Sequence, residues 1–201
     1  MIEAKDKLFY KIVKPPIKLL FKILFRPQVE GLENIPKDGR ILLAGNHTKW
    51  LDPVLLVIST KRQVHFLAKE ELFHGITHFI VNGMGCVPVN RKVHDKNVLE
   101  NTYKFLENEL CIGIFPEGTI NRTDDTIMPF KIGAVKACSH TNTKLVPFTI
   151  TGEYKLFKKS VKLEFLKPIK IGKDLDKENE KFMKIISEKL EKEVKRNVKN
   201  Q

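Results

Sequence analysis

The sequence predicts an α/β fold, a central and mostly parallel sheet flanked by helices, and three observations carry that prediction. Between Arg40 and Thr151, short β-rich runs alternate with helix-like stretches of about 10–15 residues, the pattern of strands joined by crossover helices. At 201 residues and 42% hydrophobic content, the chain can bury one sizeable core but hardly two full domains. No internal repeat or low-complexity linker divides it.

The chain opens on KDKLFYKIVKPPIKLLFKILFRP. Lys7, Lys11, Lys14, Lys18, Lys22 and Arg26 recur there every three or four residues, so on a helix they form one basic stripe. Ile12, Val13, Ile17, Leu20, Phe21 and Ile23 fall mostly on the remaining surface. Each proline of Pro15-Pro16 lacks an amide donor and clashes with the preceding turn. Residues 1–26 therefore read as two short amphipathic helices with a break between them. A basic face beside a broad apolar one suits a helix lying in a membrane interface, with Lys7, Lys11, Lys14, Lys18, Lys22, Phe21 and Phe25 as contacts. The same pattern fits a helix docked on the protein's own core.

Strands are expected at 41–45, 64–68, 86–89, 111–115 and 144–150, and helices near 52–60, 70–82, 95–109 and 131–140. A more amphipathic strand follows at 161–166. Over 177–199 a helix places Phe182, Ile186, Leu190, Val194 and Val198 at i+4 spacing among Lys and Glu, a solvated helix covering the sheet. The organisation is an α/β unit over 27–166, preceded by the basic helices and followed by a basic helix over 167–201.

The formal charge of +12 directs attention to anionic partners. Its distribution is uneven. Residues 1–26 hold seven basic and two acidic side chains, residues 155–201 fifteen and eight, and residues 27–154 fourteen of each. The basicity lies in the flanks. In the C-terminal flank cations alternate with acids and aromatics are few, which disfavours nucleic acid as the partner. Cys86, Cys111 and Cys138 are widely spaced and form neither a disulfide framework nor a CxxC motif, as expected in a reducing compartment. No apolar run approaches the ~20 residues of a spanning helix. The expected location is the cytoplasmic face of the cell membrane, bound peripherally.

Three strand ends carry chemistry. After 41–45 comes Asn46-His47-Thr48-Lys49-Trp50-Leu51-Asp52-Pro53, which puts His47 at the carboxyl end of a strand, where open α/β sheets bind ligands. A carboxylate at Asp52 can bond one imidazole nitrogen and leave the other as a base; beside Pro53 it equally suits a helix cap. Phe115-Pro116-Glu117-Gly118-Thr119 follows a second buried strand and offers a carboxylate next to a permissive backbone. Gly85-Cys86-Val87-Pro88-Val89-Asn90-Arg91 ends a third with a guanidinium suited to phosphate.

His47–Asp52, Gly85–Arg91, Phe115–Thr119 and Val146-Pro147 resemble, in order and spacing, the four sequence blocks of the glycerolipid acyltransferases, most of all the bacterial lysophosphatidate acyltransferases. Phe130-Lys131-Ile132-Gly133-Ala134 matches the stretch after the third block, and the similarity runs from about residue 28 to 152. The resemblance implies acyl transfer from an acyl thioester, on CoA or acyl carrier protein, to the free hydroxyl of lysophosphatidic acid. In that reaction His47, oriented by Asp52, is the base, and no acyl-enzyme forms. Arg91 holds the acceptor phosphate, Glu117 and Gly118 position its glycerol, and Thr119 supports their loop. The family's third block usually continues with arginine, where this chain has Ile120; Arg122 or Lys131 is the candidate replacement. Asn90 and Lys49 depart from the usual aspartate and serine. These changes keep the reaction type and open the acceptor to another lysophospholipid or glycerol-3-phosphate. No cofactor is implied.

Other signals are weaker. Glu70, His74 and His78 share a helical face but lack a further metal ligand, so no metal site is expected. Gly83-Met84-Gly85 lacks the third glycine of a dinucleotide fingerprint, and neither a P-loop nor a Gly-x-Ser-x-Gly elbow occurs. Trp50 is expected to pack beside His47.

Overall fold

The computed structural model describes residues 7–69, 74, 86–89 and 96–199. Among them seven strands form one sheet in the order β1-β7-β6-β2-β5-β3-β4. The strands are β1 (Gln28–Glu30), β2 (Ile41–Gly45), β3 (Val64–Lys69), β4 (Val87–Val89), β5 (Cys111–Ile114), β6 (Lys144–Gly152) and β7 (Val161–Phe165). Every neighbouring pair is parallel except β6 and β7, which form an antiparallel hairpin. The mostly parallel sheet expected from the alternation is thus present. The three-residue β1 carries too little pattern to stand out, and it pairs with β7 at the far edge.

Strand β2 is buried along its length, and its side chains alternate between two cores as a pleated strand requires. Ile41 and Leu43 face α1 (Lys7–Phe25) and α2 (Asp52–Ser59). Leu42 and Ala44 face α3 (Lys96–Glu107), α4 (Gly133–Thr141) and α5 (Leu175–Lys199). The helix expected at 70–82 falls outside the described residues.

Helix α1 differs from the expectation: it runs unbroken through Pro15 and Pro16. The two missing amides would have bonded the carbonyls of Lys11 and Ile12. Both residues are exposed, so water can take those carbonyls. Packing holds the other face. Tyr10 and Phe21 are buried in the core, with Ile17 and Phe25 against it, and the Tyr10 hydroxyl donates to the carbonyl of Arg62 at 2.9 Å. Lys14 turns the same way and donates to the carbonyl of Thr60 at 2.6 Å. Burial, with Lys18 adding to it, pulls the Lys14 ammonium down to about 8. Phe21, Phe25 and Lys14 therefore serve the fold, not the outer face expected of them. That outer face is formed by Ile12 and Leu19, 63% and 62% exposed, with Leu20, Ile23, Lys11 and Lys22. Sequence periodicity misassigned it because apolar residues occupy both sides of the helix.

At the other end, α5 buries Phe182, Ile186 and Leu190, but Val194 is exposed and Glu193 is buried instead. An i+4 row drifts about 40° per step at 3.6 residues per turn, so by the third step the eleventh residue faces inward. Glu193 is accommodated there by Lys162 at 3.4 Å and Lys189 at 3.6 Å. No helix among the described residues is long and apolar enough to cross a membrane.

Candidate active site

Strands β2 and β5 are adjacent and parallel, with Ala44 opposite Ile114. The chain leaves both at the same end, so Asn46-His47 and Phe115-Pro116-Glu117 emerge side by side at the carboxyl edge. Asn46 secures this edge to β6. Its side-chain amide donates to the carbonyl of Ile150 and its side-chain oxygen accepts the Ile150 amide, both at 2.8 Å.

His47 Nδ1 lies 2.9 Å from Asp52 Oδ2. An ionised carboxylate offers only acceptors, so Nδ1 carries the proton and Nε2 holds the free lone pair of the neutral ring. Among the described residues Nε2 has no hydrogen-bond partner. Asp52 is fully buried. It opens α2 but does not cap it; its Oδ2 turns back to accept the amides of Thr48 at 2.6 Å and Lys49 at 2.8 Å. The carboxylate is committed to the histidine loop, which resolves the choice between cap and orienting group.

Two further groups hold the pair. Phe115 stacks on the His47 ring with centroids 4.1 Å apart and planes 20° apart. Phe115 in turn meets Phe66 and the edge of Phe148, so the imidazole rests on an aromatic layer continuous with the core. Gly113 makes that layer possible, because a Cβ there would lie 2.5 Å from the Phe66 ring. Tyr154, on the loop after β6, donates from its hydroxyl to Asp52 Oδ1 at 2.7 Å. Burial and the Asp52 charge push its phenol up, so it stays a donor. The role of Tyr154 is not legible in the sequence, since it lies 102 residues from Asp52 and in no motif; Phe115 lies in a motif, but its stacking on His47 does not follow from it.

Glu117 behaves differently from the expectation. Its Oε1 accepts the His47 amide at 2.7 Å and its Oε2 the Met128 amide at 2.9 Å. The carboxylate is buried and both oxygens are engaged with backbone, so it braces the loops and does not reach outward for a glycerol. Desolvation raises its pKa against the lowering effect of these two bonds. Gly118 has φ 75°, a conformation a side chain rarely adopts, and a Cβ there would lie 2.8 Å from Lys131 Nζ. The Lys131 side chain thus lies across the site loop, while its amide donates to the carbonyl of Pro116 at 2.9 Å.

Thr119 is exposed and makes no hydrogen bond among the described residues, so it is not the loop's support. Asn121 has that role: its amide donates to the carbonyl of His47 at 2.8 Å, and its side chain accepts the Thr123 amide at 2.9 Å. Arg122 is exposed within this turn. Arg91 lies outside the described residues, as do Glu70 and His78; His74 is exposed. Trp50 is 73% exposed and does not pack on His47; Phe115 fills that place. Burial pushes the Cys111 thiol up to about 12 and raises Cys138 as well, which makes both poor nucleophiles.

Comparison with known proteins agrees with this geometry. The chain is 33% identical over 136 residues to the 1-acyl-sn-glycerol-3-phosphate acyltransferase of Borreliella burgdorferi, a match covering 66% of this chain and 54% of that one. It is 31% identical over 156 residues to the protein of the same name from Bacillus subtilis, covering 75% and 76%. The chain thus spans about half the length of the first relative and three quarters of the second. The crystal structure of the 1-acyl-sn-glycerophosphate (LPA) acyltransferase, PlsC, from Thermotoga maritima shares the fold, with TM-score 0.72 at 24% identity over 91% of this chain and 80% of that one. A family model described as Acyltransferase matches residues 26–151, the stretch from just before β1 to the end of β6 that bears His47, Asp52 and Glu117. By that match, and by its relatives, the chain belongs to the acyltransferase family.

Proposed function

We propose that this protein transfers an acyl chain from a thioester donor to the free glycerol hydroxyl of lysophosphatidic acid, giving phosphatidic acid. The observation that carries the reading is the pairing of His47 with a fully buried Asp52 at 2.9 Å. This leaves Nε2 as the base at the carboxyl edge of the sheet. Two curated relatives named 1-acyl-sn-glycerol-3-phosphate acyltransferase support the acceptor.

In the proposed step, Nε2 takes the proton of the glycerol hydroxyl as its oxygen attacks the thioester carbonyl. Asp52 stabilises the imidazolium that forms. The tetrahedral intermediate collapses, the carbon–sulfur bond breaks, and Nε2 of His47 returns its proton to the departing sulfur, which leaves as the thiol and restores the base. No acyl-enzyme and no cofactor enter this scheme. CoA and acyl carrier protein are both suitable donors, and Arg91, Lys131 and Arg122 are the candidate cations for the acceptor phosphate. The exposed apolar face of α1, edged by Lys11 and Lys22, supports work at an anionic membrane surface, where both lipids reside.

The test is an acceptor and donor screen on the purified full chain with product extraction. Lysophosphatidic acid should give phosphatidic acid, and His47→Ala should lower the rate by about 10²–10⁴ with the fold unchanged. Preference for glycerol-3-phosphate or another lysophospholipid would reject the acceptor, and substantial activity of the variant would reject the base.

A further inference from the structure

The hairpin joining β6 and β7 carries a feature that chemistry at His47 does not use. The amide of Lys158 donates to the carbonyl of Lys155 at 3.3 Å, which closes a turn with Leu156 and Phe157 at its centre. Turn centres favour Gly, Asn, Asp or Pro. Here both residues are large, apolar and exposed, at 58% and 56%. Phe157 also has φ 59°, in the left-handed region that a bulky side chain avoids. Neither turn chemistry nor the core accounts for this pair.

The turn is nevertheless well held. Glu153 donates its amide to the carbonyl of Ser160 at 2.9 Å, and the Ser160 hydroxyl donates to the carbonyl of Glu153 at 2.7 Å. The amide of Phe157 donates to the carbonyl of Leu24, which joins the tip to the last turn of α1. That end of α1 exposes Leu20 and Ile23. Lys155, Lys158 and Lys159 flank the tip and are exposed, and the last two have no acidic partner among the described residues. An apolar tip ringed by cations thus stands beside the outward face of an amphipathic helix.

We propose that Leu156 and Phe157 insert into the headgroup–acyl boundary of an anionic bilayer, as a second contact beside α1. This inference rests on the membrane reading given above. A single interfacial helix leaves the protein free to roll about the helix axis; a second contact removes that freedom. The hairpin is suited to it because Tyr154, two residues before Leu156, is bonded to Asp52. The same loop that meets lipid would then orient the site toward it. An acidic protein partner would engage the lysines but offers no reason for two apolar residues at the tip.

The test places a fluorescent reporter at the tip of the hairpin in the 201-residue chain, F157W in a W50F background. Vesicles mix phosphatidylcholine with phosphatidylglycerol and carry brominated acyl chains. The reporter should shift to the blue and be quenched on these vesicles, and less so on phosphatidylcholine alone. The L156S/F157S variant should sediment with anionic vesicles about tenfold less well, since two apolar side chains lose their burial, with its melting temperature unchanged. If the protein sediments, L19E/I23E abolishes binding and the tip reporter stays unquenched, the hairpin inference is overturned while the membrane reading stands. If the unsubstituted chain does not sediment, both fall. A reporter shift caused by acyl carrier protein without vesicles overturns the lipid assignment in favour of a protein surface.

Discussion

The backbone amide of His47 donates to Oε1 of Glu117 at 2.7 Å, and the other oxygen of the same carboxylate accepts the amide of Met128. One buried side chain therefore ties the end of β2 to the loop after β5. This makes Glu117 a positioning residue, acting on His47 through its backbone.

Glu117→Ala strands two partly buried amides, each worth up to about 1–3 kcal/mol when unpaired. Urea unfolding should show a loss of about 3 kcal/mol, and Glu117→Gln, which keeps one acceptor, should lose about half of that. Kinetically, kcat should fall more than tenfold in the alanine variant while the acceptor KM stays nearly constant. A rise confined to KM would instead mark a glycerol contact.

Tyr154→Phe keeps the ring against Phe21 and Phe25 and deletes only the donor to Asp52. Without that hydroxyl one oxygen of Asp52 loses its fixed partner, and the imidazole it orients is held less firmly. Unfolding should show a loss of about 1.5–3 kcal/mol for a bond to a charged group, and kcat should fall while the acceptor KM stays nearly constant. An unchanged kcat would reduce Tyr154 to packing.

Lys131 and Arg122 separate by their surroundings. The Lys131 side chain lies across Gly118, within the site loop, whereas Arg122 sits on an exposed turn. Lys131→Ala should raise the acceptor KM by about tenfold, the scale of a single charge-assisted contact. Arg122→Ala should raise it less, and neither should change the donor KM. Equal effects would argue that the phosphate reaches further out.

Acid should weaken the seam between β7 and α5. Glu164 is partly desolvated, which raises its pKa, but the paired ammonium groups of Lys189 at 2.6 Å and Lys162 at 3.1 Å outweigh this and hold it below the ordinary 4.5. The unfolded chain therefore binds this proton first. The contribution is fully present above about pH 4.5 and is lost as pH falls through the depressed value. Lys189→Met should flatten the pH dependence of unfolding below that point. A slope unchanged from the native chain would place the acid sensitivity elsewhere.

Much of this molecule was legible in its sequence because it is written locally. β2 and β5 stand out as apolar runs between helical stretches, and His47, Asp52 and Glu117 lie in two short motifs that follow them. A strand end is a local fact, and so is a histidine five residues from an aspartate. α1 was legible only in part. Its 3.6-residue period is plain, yet period alone could not say which of two apolar faces the core would take.

Tertiary structure decided the rest. Glu117 faces inward because the register of β2 on β5 brings the amide of a residue 70 positions away within reach of its carboxylate. Asp52 serves His47 and not its own helix because the loop amides and the Tyr154 hydroxyl converge on it. Helix α1 crosses two prolines because its inner face is packed and its outer face is wet. Each outcome depends on pairing between segments far apart in the chain, whose geometry no window of neighbouring residues contains.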